Sequence, residues 1–161
     1  AFDELYHKYS PMVYGLCLRY TKNSDDAQDL LQECFIKLIG KIGEFQFKGS
    51  FDGWLRKLVI NEALNFLRVS KADFDDNLDA LPIIDERFPD SISNMSANEL
   101  LTYINALPKG YRSIFNLYVI EGYQHSEIAE LLNISESSSR SQLLRARMAL
   151  IEMIKKDCKD E

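Results

Sequence analysis

Two groups of side chains in the sequence suit nucleic acid better than catalysis. Ser137, Arg140, Ser141, Leu144 and Met148 recur at offsets of three, four, seven and eleven, so a helix would gather them on one face. Guanidinium and hydroxyl groups near a helix start are the chemistry that reads base edges in a major groove, and Arg145 beside them can reach bases or phosphates. Leu143, Ala146, Leu150 and Ile154 fall on the opposite face and would pack inward. A second strip, Lys57, Asn61, Asn65 and Arg68, runs at offsets of four, eight and eleven, with Arg56 and Trp54 close by. The loop before it holds Phe45, Phe47 and Lys48, and Phe51 follows. Such a surface accepts unstacked bases and follows a phosphate backbone. Trp54, Phe51 and Phe66 read better as core residues, which leaves Phe47 and Lys48 as the loop candidates.

Acid–base or metal chemistry has little to stand on. Asp25, Asp26, Asp29 and Glu33 lack companion histidines or a glycine turn, and Asp25 and Asp26 already serve as charges at a helix start. His7 and His125 stand 118 positions apart, with no ligand neighbour at metal spacing. No GxSxG, phosphate-loop or HExxH pattern occurs. The expectation is no catalytic residue, no metal, no cofactor, no small-molecule substrate and no enzyme. Cys17, Cys34 and Cys158 form no CxxC pair, which fits reduced thiols in a cytoplasmic protein.

The elements that must position these strips are helices. Phe2, Leu5, Tyr6, Tyr9, Met12, Val13, Leu16, Cys17 and Tyr20 form an amphipathic stripe interrupted by Pro11, which predicts a kink or two short helices sharing a face. Ser24, Asp25 and Asp26 predict the start of a second helix with its stripe at Ala27, Leu30, Leu31, Cys34, Phe35, Leu38, Ile39 and Ile42. Ser50 caps a third, with Phe51, Trp54, Leu55, Leu58, Val59, Ala63, Phe66 and Leu67 facing inward. From residue 71 to 95 periodicity gives way to Asp, Asn, Ser, Pro82 and Pro89, the composition of a flexible linker. Helix resumes at the capping box Ser96-Ala97-Asn98-Glu99, breaks at Pro108 and runs through Tyr111, Ile114, Leu117 and Tyr118 to Gly122. A short helix over residues 125–132, a turn Asn133-Ile134-Ser135 and a long helix from Glu136 then have helix-turn-helix spacing.

The fold class is therefore all-α. Two small helical domains are expected, a bundle of three to four helices over 1–70 and a helix-turn-helix domain over 96–161, joined by a linker over 71–95. The chain has 161 residues, 46% of them apolar, enough for two small cores. No stretch approaches the roughly 20 apolar residues that span a bilayer. Ala1 stands inside what reads as a helix, so a trimmed boundary is expected there. The net charge of −6 is unevenly placed: nine basic and nine acidic residues in 1–70, two and seven in 71–98, eight and nine in 99–161. The acidity sits in the middle segment and leaves the flanking domains free to carry basic faces.

Two runs carry a family resemblance. Asp26-Ala27-Gln28-Asp29-Leu30-Leu31-Gln32-Glu33-Cys34-Phe35 resembles the D-A-E-D-L-x-Q-E-x-F signature of region 2 in extracytoplasmic-function (ECF) sigma factors. Phe51-x-x-Trp54-Leu55 and Asn61-Glu62-Ala63-x-x-x-x-Arg68 continue it. Leu107-Pro108 through Leu150 resembles region 4 of that family, with Gly122-Tyr123 and Glu127-Ile128-Ala129-Glu130 before the turn and Arg145-Ala146-Arg147 after it.

The resemblance implies a factor that binds bacterial core RNA polymerase, recognises −10 and −35 promoter elements, and promotes DNA melting and transcription initiation. It places Asp29, Gln32, Glu33 and Lys37 on the β′ clamp helices and brings the β flap in as a further contact. The loop over 45–50, with Phe47 and Lys48, would take a flipped −10 base, and Lys57, Asn61, Asn65 and Arg68 would contact the melted strand. Ser137, Arg140, Ser141, Leu144 and Arg145 would read the −35 element. The linker, with Asp73, Asp75, Asp76 and Asp79, would thread toward the active-site cleft until RNA displaces it. An anti-sigma factor is the further partner implied. The chain departs from the family in having Ser137-Ser138-Ser139 where Gly-Thr-Val is common, Asn133 in place of Gly, and Gln142 in place of a basic residue. The competing readings from the residues are a stand-alone helix-turn-helix repressor, separable by dimerisation on two half-sites, and a helical adaptor with a degenerate helix-turn-helix.

Overall fold

A computed structural model describes residues 1–74 and 94–159, which divide into two compact units, 1–68 and 69–161. All regular structure among the described residues is helical.

In the first unit α1 (Phe2–Tyr20), α2 (Ser24–Lys41) and α3 (Phe51–Phe66) pack pairwise around one core. Val13, Leu16, Cys17 and Tyr20 from α1 meet Leu30, Cys34 and Leu38 from α2 and Leu55, Val59 and Ala63 from α3, all buried. Of the kink or break expected at Pro11, the break does not occur, and α1 runs through it as one helix. Proline removes one backbone donor and orphans the carbonyl four residues back, at a cost of about 3 kcal/mol. His7 and Pro11 are both exposed, so water can satisfy that carbonyl. The helix is held on either side by the buried Val13 to Tyr20 face and by Tyr6, whose ring lies 4.7 Å from that of Phe35.

The α2 cap lies one residue earlier than Ser24. Asn23 is extended, and its side-chain oxygen accepts the Asp26 N–H at 2.7 Å. The α2 stripe is also shorter than expected, because Ile39 and Ile42 are exposed. Leu38 keeps to the seam, and one residue further around the helix the chain already faces outward. In α3 the sequence reading missed Ile60 and Leu64, both buried, whereas Phe51, Trp54, Phe66 and Leu67 are only half-buried.

The second unit holds α4 (Ala97–Ala106), α5 (Lys109–Phe115), a π-helical turn over Asn116–Ile120, α6 (His125–Leu132) and α7 (Glu136–Lys159). Its core joins Ile104, Phe115, Ala146, Leu150 and Ile154, with Met95 packed against them. Residues 71–74, read as the start of a flexible linker, belong instead to this unit. Lys71–Asp73 form a single 3-10 turn, Phe74 is buried, and Asp73 pairs with Lys109 at 3.6 Å. Gly110 permits this, since a Cβ there would lie 2.7 Å from the Asp73 carbonyl oxygen. Asp75, Asp76, Asp79, Pro82 and Pro89 lie outside the described residues.

The capping box at Ser96 forms, with Glu99 N–H donating to Ser96 Oγ at 3.3 Å and Ser96 N–H to the Glu99 carboxylate at 2.9 Å. The Ser96 N–H first, then the Ser96 hydroxyl donating to the same carboxylate at 3.0 Å, hold the Glu99 carboxyl below its ordinary pKa. Arg112 was not singled out in the sequence. It is fully buried, and its guanidinium donates to the carbonyls of Asn105 and Leu107 at 3.2 and 3.0 Å, tying α5 to the C-terminal end of α4. A cation at that end also meets the negative pole of the helix.

Candidate nucleic-acid interface

In the second unit the turn chemistry forms as the sequence suggests. Asn133 ends α6 in the left-handed region (φ 56°, ψ 46°), where Asn is among the few tolerated non-glycine residues. The Ile134 N–H reaches back to the Ala129 carbonyl at 3.0 Å, and Ser135 Oγ accepts the Ser138 N–H at 3.0 Å to start α7. Gln124 and Glu127 form a capping box on α6 that the sequence reading overlooked.

On α7, Ser137 and Arg140 are exposed, while Ser141, Leu144, Arg145 and Met148 are half-buried along the same side. Arg140 is held loosely by Glu136 at 3.7 Å, an exposed pair of the kind worth well under about 1 kcal/mol and readily exchanged for phosphate or a base. The Ser141 hydroxyl donates to the Ser138 carbonyl at 3.0 Å, so it is turned back onto its own helix. Gln142, where a basic residue is common in the resembling family, is buried and faces inward.

Ser139, one turn into α7, is fully buried, and its hydroxyl is bonded to His125 Nδ1 at 2.8 Å. The His125 ring stacks on Tyr118 with centroids 4.4 Å apart and an interplanar angle of 18°. Burial first, then the charges of Arg140 and Arg147, lower the His125 pKa, with Glu136 acting against them. No spacing rule connects residues 14 apart, so this contact was not legible in the sequence.

In the first unit, Lys57, Asn61 and Asn65 form the exposed strip expected on α3. Arg68 does not continue it helically. The helix ends at Phe66, and Arg68 takes a left-handed conformation (φ 53°) just past the cap, a position that usually selects glycine. The loop before α3 is an aromatic cluster: the Phe45 ring lies 5.0 Å from Phe47, 5.4 Å from Phe51 and 5.5 Å from Trp54. Phe47 is 86% exposed and also left-handed (φ 58°), uncommon for a bulky residue, and Lys48 beside it is exposed. An exposed aromatic ring held at positive φ is a strained arrangement that leaves the ring open to solvent.

Asp29, Gln32 and Glu33 are exposed on the outer side of α2, with Ile36, 70% exposed, beside them. Lys37 turns toward α3, pairing with Glu62 at 3.6 Å. With Lys41, Trp54, Lys57 and Asn61 it lines a cleft of about 170 Å³ on the α3 strip, so the structure brings Lys37 to that strip. Among the described residues no group of three or more His, Cys, Asp or Glu side chains could hold a metal ion, and no helix is long and apolar enough to cross a membrane.

Residues 5–72 match the family model for sigma-70 region 2, and residues 97–150 match that for sigma-70 region 4. The ECF RNA polymerase sigma-E factor of Escherichia coli K12 is 31% identical over 163 residues, covering 93% of this chain and 84% of the relative. The ECF RNA polymerase sigma factor SigE of Mycolicibacterium smegmatis is 30% identical over 97% of this chain, which spans 62% of that longer relative. Among solved structures, the sigma factor RpoE from Bartonella quintana, crystallised with the anti-sigma factor NepR, shares the fold with a TM-score of 0.60 at 19% identity, covering 96% of each chain.

Proposed function

The chain belongs to the ECF sigma factors, regulators of transcription initiation and not enzymes, and from that premise we propose how its two units divide the work. The first joins bacterial core RNA polymerase and holds the melted −10 strand, and the second reads the −35 element. Asp29, Gln32 and Glu33 dock on the β′ clamp helices with Lys37 at the edge of that face, and the β flap receives the second unit. Phe47 and Lys48 take an extruded −10 base, the stacking supplied by the exposed ring. Lys57, Asn61, Asn65 and Arg68 follow the strand behind it, which favours melting because unpaired bases gain partners the duplex lacks. Ser137, Arg140, Ser141, Leu144 and Arg145 meet base edges and phosphates of the −35 major groove.

The observation that carries this reading is the presence in one chain of a capped helix-turn-helix with Arg140 at its outer face and a separate exposed Lys/Asn strip beneath an aromatic loop. A repressor needs the first and has no use for the second. With a net charge of −6, the chain alone neutralises few phosphates, so its affinity for free promoter DNA is weak and salt-sensitive, and polymerase supplies the remainder. An anti-sigma partner, as crystallised with the Bartonella relative, would compete for these surfaces. The place of action is the cytoplasm, where core polymerase is.

The test is in vitro transcription with bacterial core polymerase on a genomic promoter pool, with and without the protein. Discrete new start sites support the reading. Core binding without new initiation, or no core binding at all, contradicts it.

A further inference from the structure

We propose that His125 is a positioning residue for −35 readout: bonded to Ser139 and stacked on Tyr118, its ring ties the start of α6 and the π-helical turn to the recognition helix and fixes the face that carries Arg140. The inference rests on the assignment of α7 to the −35 element.

Ser139 precedes Arg140 directly, so whatever orients its side chain also sets the rotation of α7 about its axis at the point where bases are met. A fully buried hydroxyl demands a partner, and His125 Nδ1 supplies it at 2.8 Å. An apolar residue at 139 would fill the site without that directional demand, so the bond is a device of this chain rather than a packing necessity. The Tyr118 ring at 4.4 Å and 18° limits how far the imidazole can swing.

The state of the ring matters. Where Nδ1 carries no proton it accepts the Ser139 hydroxyl proton; a proton on Nδ1 reverses the bond, the ring then donating to Ser139 Oγ, and the hydroxyl proton must turn elsewhere. The groups facing the ring are Arg140, Arg147 and Glu136 from α7 and Tyr118 from the π-helical turn. Two of the three charged ones are cations, so a proton on His125 adds a like charge beside the residue it is meant to orient. Acidification therefore loosens the link.

The experiment uses full chain with core polymerase on two promoters that differ only in an intact or scrambled −35 element. The ratio of their transcripts is followed from about pH 8 to about pH 5, a window that extends below the ordinary histidine value because the His125 pKa is lowered. Taking the ratio removes pH effects on polymerase itself. The native ratio falls as pH falls. His125→Asn, whose amide oxygen accepts without titrating, keeps a ratio near the native one at the alkaline end and loses the pH dependence. Ser139→Val lowers the ratio about fivefold, the worth of one hydrogen bond, with its helical content unchanged by circular dichroism, and Ser139→Thr restores it. A native-like ratio in Ser139→Val, or the same pH profile in native and His125→Asn protein, overturns the inference. A native ratio of one at every pH would instead refute the −35 assignment, and the inference with it.

Discussion

Replacing Arg112 by Met removes a buried cation while keeping most of its aliphatic stem. The guanidinium donates to the Asn105 and Leu107 carbonyls at 3.2 and 3.0 Å, and its side chain is among the largest fully buried ones. Hydrogen bonds to a charged donor are worth about 1.5–3 kcal/mol each, and two acceptors at the end of α4 would be stranded. Against that, burial already lowers the arginine pKa, a sign that desolvation opposes the charge, and Met relieves that cost. The net loss is therefore about 2–3 kcal/mol, below the sum of the two bonds. The chain has a single tryptophan, Trp54, which lies in the first unit, so its fluorescence follows that unit's unfolding while far-ultraviolet circular dichroism follows both. In urea, Arg112→Met lowers the midpoint of the second unit's circular dichroism transition and leaves the Trp54 transition in place. An unchanged circular dichroism profile would refute the structural role of Arg112. Equal displacement of both signals would contradict the assignment of Arg112's contribution to the second unit.

Phe47→Ala, at a side chain that packs little, leaves thermal stability unchanged and lowers heparin-resistant open complexes on a −10 promoter by about tenfold, within the range for one lost base-stacking contact. Arg140→Ala, and Arg145→Ala separately, cut discrimination for the −35 element by about tenfold in a transcription competition between intact and scrambled −35 promoters, consistent with about 1–3 kcal/mol for a base-reading pair. The Ser96–Glu99 box, whose carboxyl is held below its ordinary pKa, contributes stability above the unfolded glutamate pKa and loses it as pH falls through the folded one. Glu99→Gln accordingly flattens the acid limb of the second unit's denaturation midpoint against pH, and an unaltered limb would contradict that coupling.

What was legible in the sequence was mostly local. Ser50, the Ser96–Glu99 box, Asn133 and Ser135 each act within four residues, through oxygen-to-amide or left-handed geometry that the residue type itself prefers, and each appears where expected. Pro11 does not break α1 because its local penalty is smaller than the tertiary packing on both sides of it. Ile39 and Ile42 misled because periodicity tells which residues share a face and not where the neighbouring helices stop covering it. The same limit hid Arg112, which a polar pattern assigns to solvent, and Phe74, which composition assigned to a linker. The His125–Ser139 contact depends on how α6 and α7 meet across the turn, a fact of the assembled unit and of no single stretch. For the interface, the strip Lys57, Asn61 and Asn65 was readable, but the left-handed turns that set Phe47 and Arg68 were not, since neither residue type advertises them.

The central claim is that one chain lets core polymerase use two promoter elements. The most direct measurement is single-round transcription with core polymerase, with and without the protein, on four versions of a promoter it selects: intact, −10 only, −35 only, and neither. Core alone is then silent, and the protein gives full initiation on the intact promoter, weak initiation on −10 alone, and none on the other two. Initiation that ignores both elements, or that core achieves equally well alone, would contradict it.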